Sequence, residues 1–192
     1  AVPQDLKFQG EDTTAEVGDN NKIRENVTIN RGTAAKGKTC VGSGNLLMES
    51  VHVAHDAFVG NDCIIGNGTK LAGEIIIDDH AIISANVLMH QFCRVGGYTM
   101  VGGGTRFSQD IPPYTICARE PVAYCGLNLV GLRRRGFSNE LIENIHNAYR
   151  IIYQGGVPLN EALQKVREEV PASPEINYII EFIENSKRGF VH

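Results

Sequence analysis

The chain has 192 residues, with 18 Lys and Arg against 22 Asp and Glu for a formal net charge of −4, and 42% of it is hydrophobic. That length holds a repeat domain and one small companion, and the acidic balance argues against a nucleic-acid-binding protein as a whole. No apolar run approaches the roughly 18 residues of a membrane span, and no charged and then apolar leader opens the chain, so the composition predicts a cytoplasmic protein.

The chain begins Ala1-Val2-Pro3 without an initiator Met, and only sixteen residues precede the first repeat. The expectation is a shortened start that leaves a strand edge open. Gln4 to Phe8 runs into Gly10-Glu11-Asp12, which reads as a polar surface loop.

From Val17 to Phe107 an aliphatic residue returns at every sixth position: Val17, Ile23, Ile29, Ala35, Val41, Leu47, Val53, Val59, Ile65, Leu71, Ile77, Ile83, Met89, Val95, Val101 and Phe107. The next residue is often Gly, Ala, Ser or Asp. A period of six fits neither an amphipathic helix nor an alternating strand; it fits a parallel β-helix built from hexapeptides, in which the aliphatic residue points inward. Three hexads close one coil, so residues eighteen apart stack at roughly 4.8 Å per coil. The five cysteines, Cys40, Cys63, Cys93, Cys117 and Cys125, are odd in number and lack paired metal spacing. Cys63 and Cys93 fall on the fifth hexad place, where a small buried thiol packs, and all five read as reduced. Between Ile29 and Val41 the text Asn30 to Thr39 softens the repeat, which predicts a protruding loop.

Ser50-Val51-His52-Val53-Ala54-His55-Asp56 carries the chemistry. His52 precedes the inward Val53 and His55 follows it by two, so both point outward, and a carboxylate beside an imidazole suits a general base if Asp56 lies within reach. Gly73 and Gln91 stack over His55: a bare backbone whose N–H a developing oxyanion can approach, and then an amide. His90 lies about two coils, roughly 10 Å, along the axis, so the two histidines cannot grip one atom in one subunit. His80 reads as a surface residue.

Pro112-Pro113 in Gln109 to Tyr114 is expected to end the ladder, dividing the chain into a β-helix over 1–114 and a C-terminal part over 115–192. Arg133-Arg134-Arg135-Gly136 suits either a phosphate or a solvated helix end. The period then turns helical. Ser138 caps one helix that Gly155-Gly156 ends, Asn160 to Val170 makes a second, and Ser173-Pro174-Glu175 starts a third. Lys187 and Arg188 are expected near the last turn of the third, complementing its dipole.

Several segments in one order resemble the acyl-carrier-protein–UDP-N-acetylglucosamine O-acyltransferases of lipid A synthesis: Gln4 to Lys7, Ile23 to Glu25, Asn30 to Thr33, Asn45 to Met48, His52 to Asp56, His90 to Phe92, Gln109 to Tyr114 and Gly131 to Phe137. The resemblance implies a homotrimer of left-handed β-helices with sites between subunits. It also implies transfer of a (3R)-3-hydroxyacyl group from acyl carrier protein to the 3-hydroxyl of UDP-N-acetylglucosamine, with no cofactor and no metal. By matching position, His55 is the base, Asp56 orients it and Gly73 supplies the oxyanion N–H. Asp5, Lys7, His52, His90 and Gln91 line the sugar and phosphate site, Asn128, Arg134 and Arg135 hold the nucleotide, and Gly103 marks the acyl-length position. Glu74 stands where better-known members carry histidine, Pro121 replaces a polar residue flanking the acyl groove, and the family has further N-terminal coils. Two other classes fit the pattern less well: a zinc enzyme on the same scaffold, which needs three converging imidazoles, and a non-catalytic binding trimer. A glucosamine N-acyltransferase is the nearest rival in the first class.

Overall fold

The computed structural model describes residues 1–192. Each hexad contributes a two-residue strand and a turn, and the strands gather into three parallel faces. The first face holds Thr14–Val17, Lys38–Val41, Phe58–Val59, Ile76–Ile77 and Arg94–Val95. The second holds Lys22–Ile23, Leu46–Leu47, Ile64–Ile65, Ile82–Ile83, Met100–Val101 and Thr115–Ala118, with Ala123–Leu127 antiparallel at its edge. The third holds Thr28–Ile29, His52–Val53, Lys70–Leu71, Leu88–Met89 and Arg106–Phe107. Strands pair with those eighteen residues on, as Ile77 does with Val95 and Ile83 with Val101.

The inward residues from Leu47 to Val101 are buried and fill the coil with the fifth-place residues Val51, Cys63, Ile75, Ala81, Val87 and Cys93. Burial of each large aliphatic side chain contributes about 1.5–3 kcal/mol. Burial pushes the Cys63 thiol up to about 12 and the Cys93 thiol up to about 11, so both stay protonated as packing groups. The third residue after each inward one turns the corner in the left-handed region: Asn20, Asn26, Asp62, His80, Asn86 and Tyr98 have φ between +52° and +63°. Val17 and Ile23, in the first coil described, are half-exposed.

The softened segment leaves the body as expected, with no strand between Ile29 and Lys38. Its cost is one period, so the first coil pairs with an offset of 24, Thr14 against Lys38 and Thr28 against His52, before eighteen takes over. Ala35 is therefore exposed in the loop and is not an inward residue.

The prolines do not end the ladder. Thr115–Ala118 pairs in parallel with Met100–Val101, because Pro112 and Pro113 lie in the turn before it, where no strand N–H is required. The Pro112 carbonyl accepts from the hydroxyls of Thr99 and Thr115, both at 2.7 Å. The sheet thus runs past the expected boundary at 114.

Four helices follow: α1 (Leu129–Arg134), α2 (Asn139–Gln154), α3 (Leu159–Glu169) and α4 (Pro174–Glu184). The short α1 goes beyond the expected three. Ser138 caps α2 by accepting from Leu141 N–H, Gly155 ends it, and Ser173 caps α4 by accepting from Ile176 N–H. Ile145, Tyr149, Val166, Ile179 and Phe182 form their common core. The helices sit on the first face and the last coil. Tyr178 donates to Asp78 and accepts from Gly97 N–H at 2.8 Å, and Arg94 pairs with Asp78 while lying over the Phe182 ring. No basic residue falls in the last turn of α4; Arg188 lies beyond it and donates instead to the Ser108 carbonyl at 2.7 Å.

Candidate active site

The His-Asp pair occupies the corner between the third face, which ends at Val53, and the first, which resumes at Phe58. Asp56 takes the left-handed turn position, φ +59°, and both residues are buried. His55 Nδ1 lies 2.9 Å from Asp56 Oδ2. A carboxylate accepts only, so Nδ1 carries the proton and Nε2 keeps a free lone pair.

Asp56 is itself held. Thr33, in the protruding loop, donates its N–H to Oδ1 at 2.9 Å and its hydroxyl to Oδ2 at 2.6 Å. Thr39 Oγ1 accepts from the Asp56 N–H at 2.8 Å. Burial works to raise the Asp56 carboxyl pKa, but the bonds from Thr33 and His55 outweigh it and hold the group below the usual carboxylate range.

The far side of the imidazole rests on Gly73. A Cβ at that position would lie 2.5 Å from His55 Nε2, so no other residue fits without moving the ring. The Gly73 N–H donates to no group within the subunit, although its neighbour Glu74 donates to the His55 carbonyl at 3.0 Å. An imidazole nitrogen with a free lone pair and an uncommitted backbone donor thus stand side by side.

A pocket of about 480 Å³ opens beside them, and it brings together Asp5, Lys7, Gln91, Thr33, Glu74 and Phe92. Gln91 is placed there by the eighteen-residue stack, and Asp5 and Lys7 by the N-terminal segment. His52 lies on the third face with Nδ1 2.7 Å from Thr28 Oγ1. Burial, and then the Lys70 ammonium, hold its pKa below the ordinary histidine value. His90 Nδ1 donates to the Gln91 carbonyl at 3.0 Å, and the residue lines a different pocket of about 510 Å³. Leu88, Met89, Phe107, Pro121 and Val122 form the apolar part of that second pocket's lining, beside Arg106, Ser108, Gln109 and Glu120.

The remaining expected residues lie elsewhere in the chain. Gly103 is exposed at the corner after Met100–Val101, lining neither pocket, and a Cβ there would meet the Ala85 carbonyl at 3.3 Å. Arg134 is exposed, and Arg135 Nη1 donates to His80 Nδ1 at 2.8 Å at the corner between the first and second faces. One whole face separates the arginines from His55. Asn128 is buried, with Oδ1 capping α1 through Gly131 N–H and Nδ2 donating to the Tyr98 carbonyl at 2.9 Å. Its side chain is committed inside the subunit, where nucleotide contact was expected. His52 bonds Thr28 on the third face while His80 bonds Arg135 at the corner between the first and second, so they do not converge as a zinc site requires.

Two residues escaped the sequence reading. Thr33 belongs to a loop whose softened repeat signals only that the chain leaves the body, and His80 looks like an ordinary surface position until Arg135 is seen on it.

Residues 110–191 match the family model described as UDP-N-acetylglucosamine O-acyltransferase, domain 2. Among solved structures, the chain is similar to a UDP-N-acetylglucosamine acyltransferase from Bacteroides fragilis, with 73% identity over 100% of this chain and 75% of that one and a TM-score of 0.97. The UDP-N-acetylglucosamine O-acyltransferase from Moraxella catarrhalis is 42% identical over 100% of this chain and 75% of its own, with a TM-score of 0.95. The UDP-N-acetylglucosamine acyltransferase from Francisella novicida is 36% identical over 99% and 70%, also with a TM-score of 0.95. The fold is accordingly the left-handed β-helix with C-terminal helices.

Proposed function

Because the chain belongs to the UDP-N-acetylglucosamine O-acyltransferase family, we propose that it transfers a (3R)-3-hydroxyacyl group from acyl carrier protein to the sugar 3-hydroxyl of UDP-N-acetylglucosamine, opening lipid A synthesis, with His55 as general base. The observation that carries this reading is the line Thr33–Asp56–His55–Gly73: a held carboxylate, an imidazole with a free Nε2, and a backbone donor with no other partner.

The steps balance within these groups. Nε2 of His55 takes the proton of the sugar hydroxyl as its oxygen attacks the thioester carbonyl carbon. The carbonyl electrons move to oxygen, where the Gly73 N–H stabilises the charge. Collapse expels the carrier thiolate, which recovers the proton from Nε2. Asp56 keeps the tautomer and stabilises the imidazolium through Nδ1. A thioester needs no metal for this chemistry.

Asp5, Lys7 and Gln91 line the adjoining pocket and suit the polar sugar and a phosphate, with Glu74 facing hydroxyl or amide donors. His90 adjoins Gln91 in sequence but lines the second pocket, and His52 stands on the third face; a part for either in holding the sugar or phosphate belongs to the proposed reading. The apolar side chains of the pocket at His90 suit an acyl chain, and Gly103, outside that pocket, leaves the corner after Met100–Val101 without a side chain. Arg134 and Arg135 stand a full face away from His55, so a nucleotide sugar bound by both requires the arginines of a neighbouring subunit, as a homotrimer with sites between subunits provides. Asn128 then serves by capping the helix from which those arginines project. Transfer of label from UDP-N-acetylglucosamine to a lipid-soluble product, dependent on hydroxyacyl carrier protein, tests the reading.

A further inference from the structure

We propose that His80 is a positioning residue for Arg135, holding its guanidinium in the orientation that meets the pyrophosphate of the nucleotide sugar. The inference rests on the reading of Arg135 as a nucleotide contact and adds a residue to it.

The geometry is specific. Arg135 ends α1 and is exposed, so nothing in its own helix fixes its five donors. Its Nη1 donates to His80 Nδ1 at 2.8 Å, while its guanidinium carbon lies 5.8 Å from the centre of the Tyr98 ring. The His80 ring packs on the same tyrosine, with centroids 4.7 Å apart. A nitrogen that accepts from arginine has no proton, so His80 is neutral with its hydrogen on Nε2. Burial and then the neighbouring Arg135 charge both favour the neutral form, against Asp62 and Asp79, the carboxylates that face the ring.

Those carboxylates explain why a neutral acceptor is useful. Asp62 Oδ2 lies 3.7 Å from the same Nδ1, too far to bond it but within reach of a guanidinium released from the ring. Asp79 is already engaged by Asn61, and Asp78 by Arg94 and Tyr178. An arginine neutralised on Asp62 would offer an anion little. Bound to an uncharged imidazole, Arg135 keeps its full charge and its remaining donors for a phosphate.

The chain supplies its own test substitutions. His80 sits at the left-handed turn position, φ +63°, and the same position in other coils holds Phe92 and Tyr98 on one hand and Asn26 and Asn86 on the other. Phe at 80 therefore fits the backbone and keeps a ring against Tyr98 while removing the acceptor. Asn fits equally and restores an acceptor close to where Nδ1 lies.

Steady-state kinetics on the full chain, with UDP-N-acetylglucosamine varied at saturating hydroxyacyl carrier protein, would compare His80→Phe, His80→Asn, Arg135→Ala and the double variant His80→Phe/Arg135→Ala. The expected result is a KM for the nucleotide sugar raised about tenfold by His80→Phe, the equivalent of one hydrogen bond to a charged group, with kcat within about twofold of wild type. His80→Asn should restore most of the loss, and the double variant should be no worse than Arg135→Ala alone. An unchanged KM in His80→Phe beside a raised KM in Arg135→Ala would overturn the inference and leave the nucleotide contact standing, as would full additivity in the double variant. An unchanged KM in Arg135→Ala would overturn both.

Discussion

Thr33 and Asp56 are 23 residues apart in the chain, and the threonine satisfies both oxygens of the aspartate, through its N–H at 2.9 Å and its hydroxyl at 2.6 Å. The loop that interrupts the hexads thereby reaches back to the corner where the hexads place His55. A carboxylate this enclosed cannot turn away from the imidazole without leaving a buried donor or acceptor unpaired, so the loop fixes the direction in which Nε2 points.

Thr33→Val removes the hydroxyl and keeps the shape. The expected outcome is a stability loss of about 1–3 kcal/mol for the exposed deficit at a buried carboxylate, and a fall in kcat with little change in the KM for UDP-N-acetylglucosamine. Chemical denaturation and steady-state kinetics on one preparation would check both parts.

Gly73→Ala tests the contact with the ring. Its Cβ would fall 2.5 Å from His55 Nε2, and the clash is with the nitrogen of the proposed base and not with a loose surface group. A loss of about 10²-fold or more in kcat is expected, on the scale of a misplaced base or a lost oxyanion donor. A variant that turned over at the wild-type rate would show that the imidazole need not rest there.

Asp56 makes stability depend on pH in a defined direction. Its folded pKa lies below the usual value, so the ionised carboxylate contributes fully above the unfolded value of about 3.9 and loses that contribution as pH falls through the folded value. The difference in melting temperature between wild type and Asp56→Asn should hold steady from neutral pH down to about pH 5 and shrink below it. A difference that grew on acidification would contradict the sign.

Gly103→Met tests the acyl-length position. The residue is exposed and its φ is outside the left-handed region, so a side chain needs only a shift of a few tenths of an ångström from the Ala85 carbonyl, 3.3 Å from the added Cβ. Competition among hydroxyacyl carrier proteins of different lengths should shift toward the shorter chains, and an unchanged profile would remove Gly103 from that role.

Most of this is legible in the hexad period of the sequence. That period gave the inward residues, and through the eighteen-residue stack it gave the meeting of His55, Gly73 and Gln91, because a solenoid converts sequence spacing directly into distance. What stayed hidden depended on contacts the period does not govern. Thr33 finds Asp56 only because a loop folds back, Ala35 kept the count of six while leaving the body, and Pro112-Pro113 proved to be a corner with one more rung beyond it. Asn128 and His80 carried residue types that suit either binding or packing, and only the neighbours of each showed Asn128 capping a helix and His80 receiving an arginine.

Transfer of labelled UDP-N-acetylglucosamine to a lipid-soluble product, with 3-hydroxyacyl carrier proteins of several lengths as donors, is the most direct test of His55 as the base. Wild type should transfer label in a donor-dependent way. His55→Ala, with its melting behaviour and assembly state retained, should lose at least the 10²–10⁴-fold typical of a general base, roughly down to background. Turnover by His55→Ala close to the wild-type rate would contradict the mechanism, and failure of well-folded wild type to transfer label from any donor would contradict the proposed reaction for this chain.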